Sequence, residues 1–184
     1  MEGNGVAFQV AGADAGWSEA VKMTDVVLKL SARDLLHADL ASCGWAGSAH
    51  HLAGVARQLE RARLGEVDYL AVCPATDIPV AKGGVDYQVK EGVGTLWQLA
   101  VQPALQSCGI GTFLVQAAEL RIRNRGLRHA ELGVEENNPR ARALYERLGY
   151  VAYDRQPDSW EEQAPDGTLR RYETMCTLLR KDLP

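Results

Sequence analysis

A turn that contains two glycines joins a predicted strand to a predicted helix and has the features of an anion-binding site. The apolar segment 94–101 reads as a strand, and the hexapeptide 106–111 (QSCGIG) opens an amphipathic helix predicted over 109–125. The first N–H groups of a helix have no acceptors within it, and the helix dipole adds partial positive charge there. Because glycines let a phosphate group approach those donors closely, we expect a diphosphate at this turn.

Three phosphate-binding patterns can be distinguished by the residues around the glycines. A nucleotide P-loop needs a lysine directly after its last glycine, and Thr112 occupies that position. A dinucleotide-binding turn needs a third glycine, and Leu114 occupies its place. The third pattern, Q/R-x-x-G-x-G/A, matches from Gln106 to Gly111. Taken alone, the turn is explained equally well by glycines that only cap and pack a helix.

A second informative segment, residues 133–150, reads GVEENNPRARALYERLGY. It predicts a helix over 139–148, because Pro139 suits a first helical turn and Gly149 suits the position after the helix end. Asn138 precedes this helix and is a good candidate for its N-cap. Tyr145 lies on the helix, where a tyrosine taken alone is expected to pack against the core.

Together the two segments resemble the GCN5-related N-acetyltransferase (GNAT) family, over about residues 94–154. The shared patterns are Q-x-x-G-x-G at a helix start and N-x-x-A-x-x-L-Y-x-x-x-G-[YF] further on. The resemblance implies an α/β (α+β) fold with a mixed, mostly antiparallel central sheet of about seven strands and about four helices. It also implies an enzyme that transfers the acetyl group of acetyl-CoA to a primary amine of a small molecule or peptide by direct attack. Acetyl-CoA would be the cosubstrate, and no metal is implied.

The family resemblance assigns the cofactor site residue by residue. Backbone N–H groups of the turn would bind the pyrophosphate of acetyl-CoA, with Gln106 bracing the loop. Those groups belong to Cys108, Gly109, Ile110, Gly111 and Thr112. In the family the preceding strand carries a bulge, which matches 99–101 here. The Leu99 N–H would polarise the thioester carbonyl and stabilise the oxyanion, and Val101 would pair with the pantetheine amides.

The same resemblance gives roles to two residues of the second segment. Asn138 would hydrogen-bond the pantetheine or nearby backbone, an assignment that is compatible with its capping the helix. Tyr145 would donate a proton to the departing CoA thiolate, which a phenol can do because the thiolate is itself basic.

The general base stays open at this stage. Relatives that acetylate protein N-termini place a glutamate five residues before the matching asparagine, where this chain has Gly133. Glu131 lies on the same face of the predicted strand and is a candidate, either directly or, like Asp86, through a water chain. The alternative for Glu131 is a solvated carboxylate at a sheet edge.

Hydrophobic periodicity and turn residues predict the remaining elements. The predicted strands are 26–30, 68–73, 80–90, 94–101, 129–134, 150–154 and 170–179, and the predicted helices are 32–42, 48–64, 109–125 and 139–148. The segment 154–167 is predicted to be a loop near the acceptor, and its five acidic residues and Trp160 would suit a cationic amine. A solvated acidic loop is the alternative, and His50 and His51 are expected on a helix surface.

Composition limits the class of protein. With 184 residues and a net charge of -4, the chain lacks the basic excess of a nucleic-acid-binding protein. No apolar run approaches the roughly 20 residues that a membrane span needs. Four cysteines without a C-x-x-C pair argue against zinc or a disulfide framework and favour reduced thiols in the cytoplasm.

We expect residues 1–22 to be a flexible extension and residues 23–184 to form a single acetyltransferase domain, with a homodimer possible through an exposed last strand. Two alternatives to an enzyme remain. One is a catalytically silent acyl-CoA-binding regulatory domain, and the other is a structural domain that binds no CoA.

Overall fold

The computed structural model describes residues 27–184. The extension predicted over 1–22 and the first residue of the strand predicted over 26–30 lie outside them. The strands are β1 (Ser31–Asp34), β2 (Val67–Cys73), β3 (Ala81–Asp86), β4 (Val93–Val101), β5 (His129–Glu135), β6 (Val151–Gln163) and β7 (Leu169–Asp182). The helices are α1 (Ala49–Arg63), α2 (Ile110–Asn124) and α3 (Pro139–Arg147), with 3₁₀ turns at His37–Ser42, Gly44–Ala46 and Pro103–Leu105.

All seven of these strands form one sheet in the order β1-β2-β3-β4-β5-β7-β6. Neighbouring strands are antiparallel except for β4 and β5, which are parallel. The α2 helix connects these two strands as a crossover, which a parallel pair requires. The predicted mixed, mostly antiparallel sheet is therefore confirmed. Among residues 27–184, no helix is both long and apolar enough to cross a membrane.

Helices cover both faces of the sheet. Successive side chains of β2 alternate between the faces, so that Leu70 and Val72 join one hydrophobic cluster while Tyr69 and Ala71 join the other. The first cluster buries the apolar stripe of α2 and the inner side of α3, and the second buries α1. The middle strands are thereby held between two layers, and the ends of β4 and β5 are the region where a site can open.

The pairing of β4 changes twice along its length. Its parallel pairs with β5 end at Leu96 opposite Leu132, although β4 continues to Val101 and β5 to Glu135. On the β3 side the register shifts, because Gly84 faces Trp97 while Lys82 faces Ala100. Two residues of β4 thus oppose one of β3, which is a β-bulge. Its first residue, Gln98, has a left-handed φ of 51°.

The predicted elements before α1 are wrong. The strand predicted over 26–30 lies instead at β1, and the helix predicted over 32–42 is reduced to a 3₁₀ turn. Ser31 pairs with Cys73, and Pro74 follows the end of β2, so the described residues 27–30 have no part of β2 to pair with. Pairing with β2 holds Ser31–Asp34 extended, which removes the first turn of the predicted helix.

The prediction of a loop over the acidic segment 154–167 is also wrong. Most of it belongs to β6, which pairs with β7 residue by residue from Asp154 to Gln163. The true turn covers only a few residues around Gly167, whose φ of 86° needs a glycine. Hydrogen bonding to β7 stabilises an extended conformation that the polar composition of β6 does not indicate.

Candidate active site

The separation of β4 and β5 opens a cleft of about 1210 Å³. The α1 helix forms one side of the cleft, and the β6–β7 hairpin forms the other. Four of the predicted site residues line it together: Leu99, Glu131, Asn138 and Tyr145. Val101 and the glycine turn lie outside its lining, and α3 connects the two parts. Leu144 of α3 approaches Gly111, while the next residue, Tyr145, lines the cleft.

A glycine is needed at each of the two positions of the turn for a different structural reason. Gly109 is the N-cap of α2 and has a left-handed φ of 79°, which strains any residue with a Cβ. A Cβ on Gly111 would lie 3.3 Å from Leu144 Cδ2, so this glycine permits close packing of α2 and α3. The alternative of glycines that only cap and pack a helix thus accounts for both, because Gly109 caps α2 and Gly111 permits its packing against α3.

The N-terminus of α2 can accept an anion. No side chain caps it, and its first N–H groups have no acceptors within the helix. Four of the five N–H groups named above for the diphosphate, those of residues 109–112, are among them, and Cys108 directly precedes the N-cap. The Gln106 amide donates to the Val101 carbonyl at 3.3 Å, which ties the turn to the end of β4. A bracing contact of Gln106 is therefore present in the structure.

Arg140 is a residue of this region that the sequence analysis missed. Its guanidinium donates to Gln106 Oε1 at 2.9 Å and to Ser107 Oγ at 2.7 Å. An exposed arginine in the first turn of α3 thus places a positive charge beside the uncapped end of α2. The pattern N-x-x-A leaves the position of Arg140 unspecified, so it gave no signal for this residue.

Leu99 and Val101 lie on the part of β4 that has no pairs with β5. Both side chains are half-buried and pack against the core, so a role in the site would rest on their backbone groups. Because a strand presents peptide groups along both edges, the edge of β4 toward β5 is left with free donors and acceptors beyond Leu96. An extended ligand with amide groups could pair with this edge.

Asn138 and Tyr145 are positioned by α3. The Asn138 side chain accepts a hydrogen bond from Ala141 N at 3.0 Å, so it caps the helix while lining the cleft. Tyr145 is 8% exposed, and its ring packs edge-on against Tyr150 with centroids 6.0 Å apart. Burial raises the pKa of Tyr145 to about 12, so the phenol keeps its proton at neutral pH.

Glu131 is buried, so its expected alternative as a solvated edge carboxylate is wrong. Its carboxylate accepts from Lys90 Nζ at 2.9 Å, from Arg180 Nε at 2.6 Å and from the Tyr153 hydroxyl at 2.9 Å. Burial raises its pKa, but these donors outweigh burial and hold the pKa below its ordinary value. Asp86 is bound by Arg61 at 2.7 Å and lies outside the cleft lining. Neither carboxylate is arranged as a free base.

Acidic and aromatic side chains cover the β6–β7 side of the cleft. Asp158, Trp160 and Glu162 alternate along β6, which directs them to one face, and all three line the cleft. The Trp160 ring lies 4.9 Å from the Tyr172 ring, and the Tyr172 hydroxyl donates to Glu135 at 2.9 Å. The ion pairs nearby use Glu131 and Glu136, so in the described part of the chain the carboxylates of Glu135, Asp158 and Glu162 have no cationic partner.

A polar network beside the cleft was also missed from the sequence; its Tyr69 and Lys82 are buried, while His51 and Gln98 line the cleft. It consists of His51, Tyr69, Lys82 and Gln98. His51 was expected on a helix surface, but it is half-buried and hydrogen-bonds Lys82. These residues come from α1, β2, β3 and β4, so no local pattern reports their proximity. In residues 27–184, no cluster of three metal-ligating side chains is present.

Comparison with known proteins identifies the class to which this fold and cleft belong. Residues 48–150 match the acetyltransferase (GNAT) family, and the chain therefore belongs to that family. A mycothiol acetyltransferase from Streptosporangium roseum is 39% identical over 64 residues, which are 35% of this chain and 19% of that protein. The [ribosomal protein bS18]-alanine N-acetyltransferase of Haemophilus influenzae is 35% identical over 60 residues, which are 33% of this chain and 40% of that protein. The chain thus spans less than half of either relative.

Solved structures share the fold at low sequence identity. The ribosomal-protein-S18-alanine N-acetyltransferase of Escherichia coli has a TM-score of 0.63 at 17% identity, over 84% of this chain and 94% of that one. The PaiA N-acetyltransferase of Thermoplasma acidophilum, solved in complex with coenzyme A, has a TM-score of 0.60 at 13% identity, over 84% of this chain and 99% of that one.

Proposed function

We propose that the protein is an N-acetyltransferase that transfers the acetyl group of acetyl-CoA to a primary amine by direct attack. The observation that carries the proposal is that β4 has no pairs with β5 after Leu96, and that the chain then leads from the end of β4 into the uncapped N-terminus of α2. Free strand edge followed by free helix donors suits a ligand with amides at one end and a diphosphate at the other. Acetyl-CoA has this arrangement.

In this proposal the cosubstrate is held by backbone groups. The N–H groups from Cys108 to Thr112 bind the diphosphate, and Gln106 and Arg140 keep the turn in shape. Val101 pairs with the pantetheine amides, and the Asn138 amide group contacts the same arm while its oxygen caps α3. The acetyl group then lies beside Leu99, inside the cleft.

The chemistry needs few side chains. The amine nitrogen attacks the thioester carbon, the C–N bond forms, and the Leu99 N–H stabilises the negative charge that develops on the carbonyl oxygen. The C–S bond then breaks, and Tyr145 gives its proton to the CoA thiolate. A phenol with a pKa of about 12 is fully protonated beforehand and is suited to the role of acid rather than base.

We assign proton removal from the amine to Glu135 rather than to Glu131. Glu135 lies on the same face of β5 as Glu131 and lines the cleft, but it accepts only the Tyr172 hydroxyl among the contacts described. With Asp158 and Glu162 it makes the acceptor side acidic, which favours an amine that arrives as a cation. Trp160 supplies an aromatic face for the same ammonium group.

Three further expectations are part of the proposal. The four cysteines are free, which suits reduced thiols in the cytoplasm. The single acetyltransferase domain would span residues 23–184. The last strand, β7, was expected to be exposed for pairing in a homodimer, but it lies between β5 and β6. The sheet edge belongs to β6, and pairing of this edge with a second copy would give a homodimer.

A screen of amines with acetyl-CoA tests the function against its alternatives. Chromatographic detection of free CoA is preferable to a thiol reagent, because the Cys108 thiol is partly exposed. Amine-dependent CoA release is expected. Tight acetyl-CoA binding without release for any amine would favour the silent binding domain. Acetyl-CoA at a hundred times its Kd should add about 2.7 kcal/mol to the free energy of unfolding, and no stabilisation would favour a structural domain.

A further inference from the structure

Lys82 is a charged residue buried completely behind the cleft. Its relative exposure is 0%, and its Nζ atom lies 3.0 Å from the Tyr69 hydroxyl, 3.1 Å from His51 Nε2 and 3.5 Å from the Gln98 carbonyl oxygen. None of these neighbours is a carboxylate, and no ion pair of Lys82 exists within residues 27–184. Nothing in the proposed reaction uses this lysine, although burying a charge without a counter-ion is costly.

The hydrogen bonds of the network are consistent with an ammonium group. An ammonium has three N–H donors, and three acceptors surround Lys82. The Tyr69 hydroxyl accepts from Lys82 and donates to Gln98 Oε1 at 3.0 Å. Burial, with the nearby Lys82 charge, lowers the pKa of His51 to about 4, so its imidazole is neutral and can accept at Nε2.

The network holds one residue of the β4 bulge, Gln98, through both its side chain and its carbonyl. Tyr69 binds the side chain of Gln98, and Lys82 approaches its carbonyl oxygen. Gln98 has a left-handed φ of 51°, a conformation that non-glycine residues adopt only when their surroundings impose it. The Gln98 carbonyl belongs to the same peptide group as the Leu99 N–H. A positive charge at that oxygen draws electron density from the N–H and makes it a stronger donor.

We propose that Lys82 is a positioning residue of the acetyl site, whose ammonium orients and polarises the Gln98–Leu99 peptide so that the Leu99 N–H binds the thioester carbonyl more strongly. The inference rests on the proposed function, since it concerns the same acetyl group. It differs from that function in assigning a role to a side chain that never touches the substrate.

The charge state of Lys82 makes the proposal measurable. Burial lowers the pKa of Lys82 to about 8. The groups that face it are Tyr69 from β2, His51 from α1, Gln98 from β4 and the buried Cys43 thiol before α1. Burial raises the pKa of both Tyr69 and Cys43. Lys82 is therefore the member of this set that loses its charge between pH 7 and pH 9.

Infrared spectroscopy of bound acetyl-CoA labelled with ¹³C at its carbonyl reports the strength of this hydrogen bond. In the wild-type protein the carbonyl band should move to higher frequency as the pH rises from 6 to 9.5. In Lys82→Met the band should lie at higher frequency throughout and should not move with pH. We expect kcat for CoA release to fall about 10- to 100-fold in Lys82→Met, with the Kd of acetyl-CoA changed less than about threefold. Lys29→Met, at an exposed position, is the matched control.

The outcomes separate this inference from the proposed function. If the wild-type protein binds acetyl-CoA but its carbonyl band does not move with pH, or if Lys82→Met keeps both kcat and the band position, Lys82 has no such role while the function stands. If the wild-type protein does not bind acetyl-CoA, the proposed function fails first. Because the wild-type titration needs no substitution, it decides the matter even where Lys82→Met does not fold.

Discussion

The Arg140 guanidinium donates a hydrogen bond to Gln106 Oε1 over 2.9 Å, and this contact joins the first turn of α3 to the turn before α2. Gln106 in turn donates to the Val101 carbonyl, so the end of β4, the glycine turn and α3 form one connected unit. The same helix carries Asn138 at its start and Tyr145 in the cleft. A single short helix therefore braces the proposed diphosphate site and supplies the proposed acid.

Removal of the Arg140 side chain should weaken acetyl-CoA binding. Arg140→Ala loses two hydrogen bonds to the turn and one positive charge beside the diphosphate, which together should cost about 1 kcal/mol, roughly a fivefold increase in Kd. Isothermal titration calorimetry at low and high salt measures the change, and the difference from wild type should shrink as salt rises. Arg63→Ala, an exposed arginine of α1, is the control. An unchanged Kd at low salt would show that Arg140 does not support the site.

Alanine substitutions at two glycines of similar backbone conformation distinguish the effect of backbone strain on stability from an effect on acetyl-CoA binding. Gly109 and Gly92 have φ values of 79° and 74°, and a Cβ added at either would meet no atom within 4 Å. Each substitution by alanine should lower the free energy of unfolding by about 1–2 kcal/mol, because each forces a left-handed residue. Only Gly109→Ala should also weaken acetyl-CoA binding. Equal Kd values for the two variants would contradict an anion site at α2.

Tyr145→Phe should lower turnover while leaving acetyl-CoA affinity nearly intact. The phenylalanine ring keeps the edge-on contact with Tyr150, so only the hydroxyl group, with the proton it would donate, is lost. We expect kcat to fall about 100-fold, as is typical when a general acid is removed. Tyr87→Phe, which removes a hydroxyl bound to Asp68 outside the cleft, is the control. Unchanged turnover in Tyr145→Phe would remove this residue from the acid role.

The Glu131 cluster should make stability depend on pH. Because the pKa of Glu131 is lower in the folded protein, its stabilising contribution is complete above the ordinary pKa of 4.5. That contribution is lost as the pH falls through the folded-state pKa. Glu131→Gln should therefore cost about 1–2 kcal/mol in urea unfolding at pH 7, and much less at acidic pH. A cost that is the same at pH 7 and pH 3 would contradict this account.

The same substitution four residues further along β5 should act on turnover instead. Glu135→Gln should lower kcat/KM for the amine at pH 7, and the loss should diminish as the pH approaches the pKa of the acceptor, because free amine then needs no base. Folding stability should change little, since Glu135 accepts only one hydroxyl hydrogen bond among the described contacts. A normal rate at pH 7 would show that another group or the solvent takes the proton.

The sequence predicted the local parts of the site well. The Gly109 turn and the Asn138-capped helix are encoded within a few residues, so composition and spacing were sufficient to find them. The long helices α1 and α2 were found for the same reason. The bulge at Gln98 was available only through the family resemblance, because its cause is pairing with β3.

Features that depend on distant partners were missed or misread. Glu131 accepts hydrogen bonds from Lys90 and Arg180, which lie 41 and 49 residues away in the chain. The Lys82 network joins four elements, and β6 is extended because β7 pairs with it. Local patterns carry no information on such contacts, since each depends on the order of strands in the sheet.

The most direct test of the central claim is a crystal structure of the protein with acetyl-CoA. We expect the diphosphate within hydrogen-bonding distance of the N–H groups of Ile110 and Gly111, and the thioester oxygen within the same distance of the Leu99 N–H. We also expect the sulfur atom beside the Tyr145 hydroxyl. Acetyl-CoA bound elsewhere, or with its diphosphate away from the start of α2, would contradict the account.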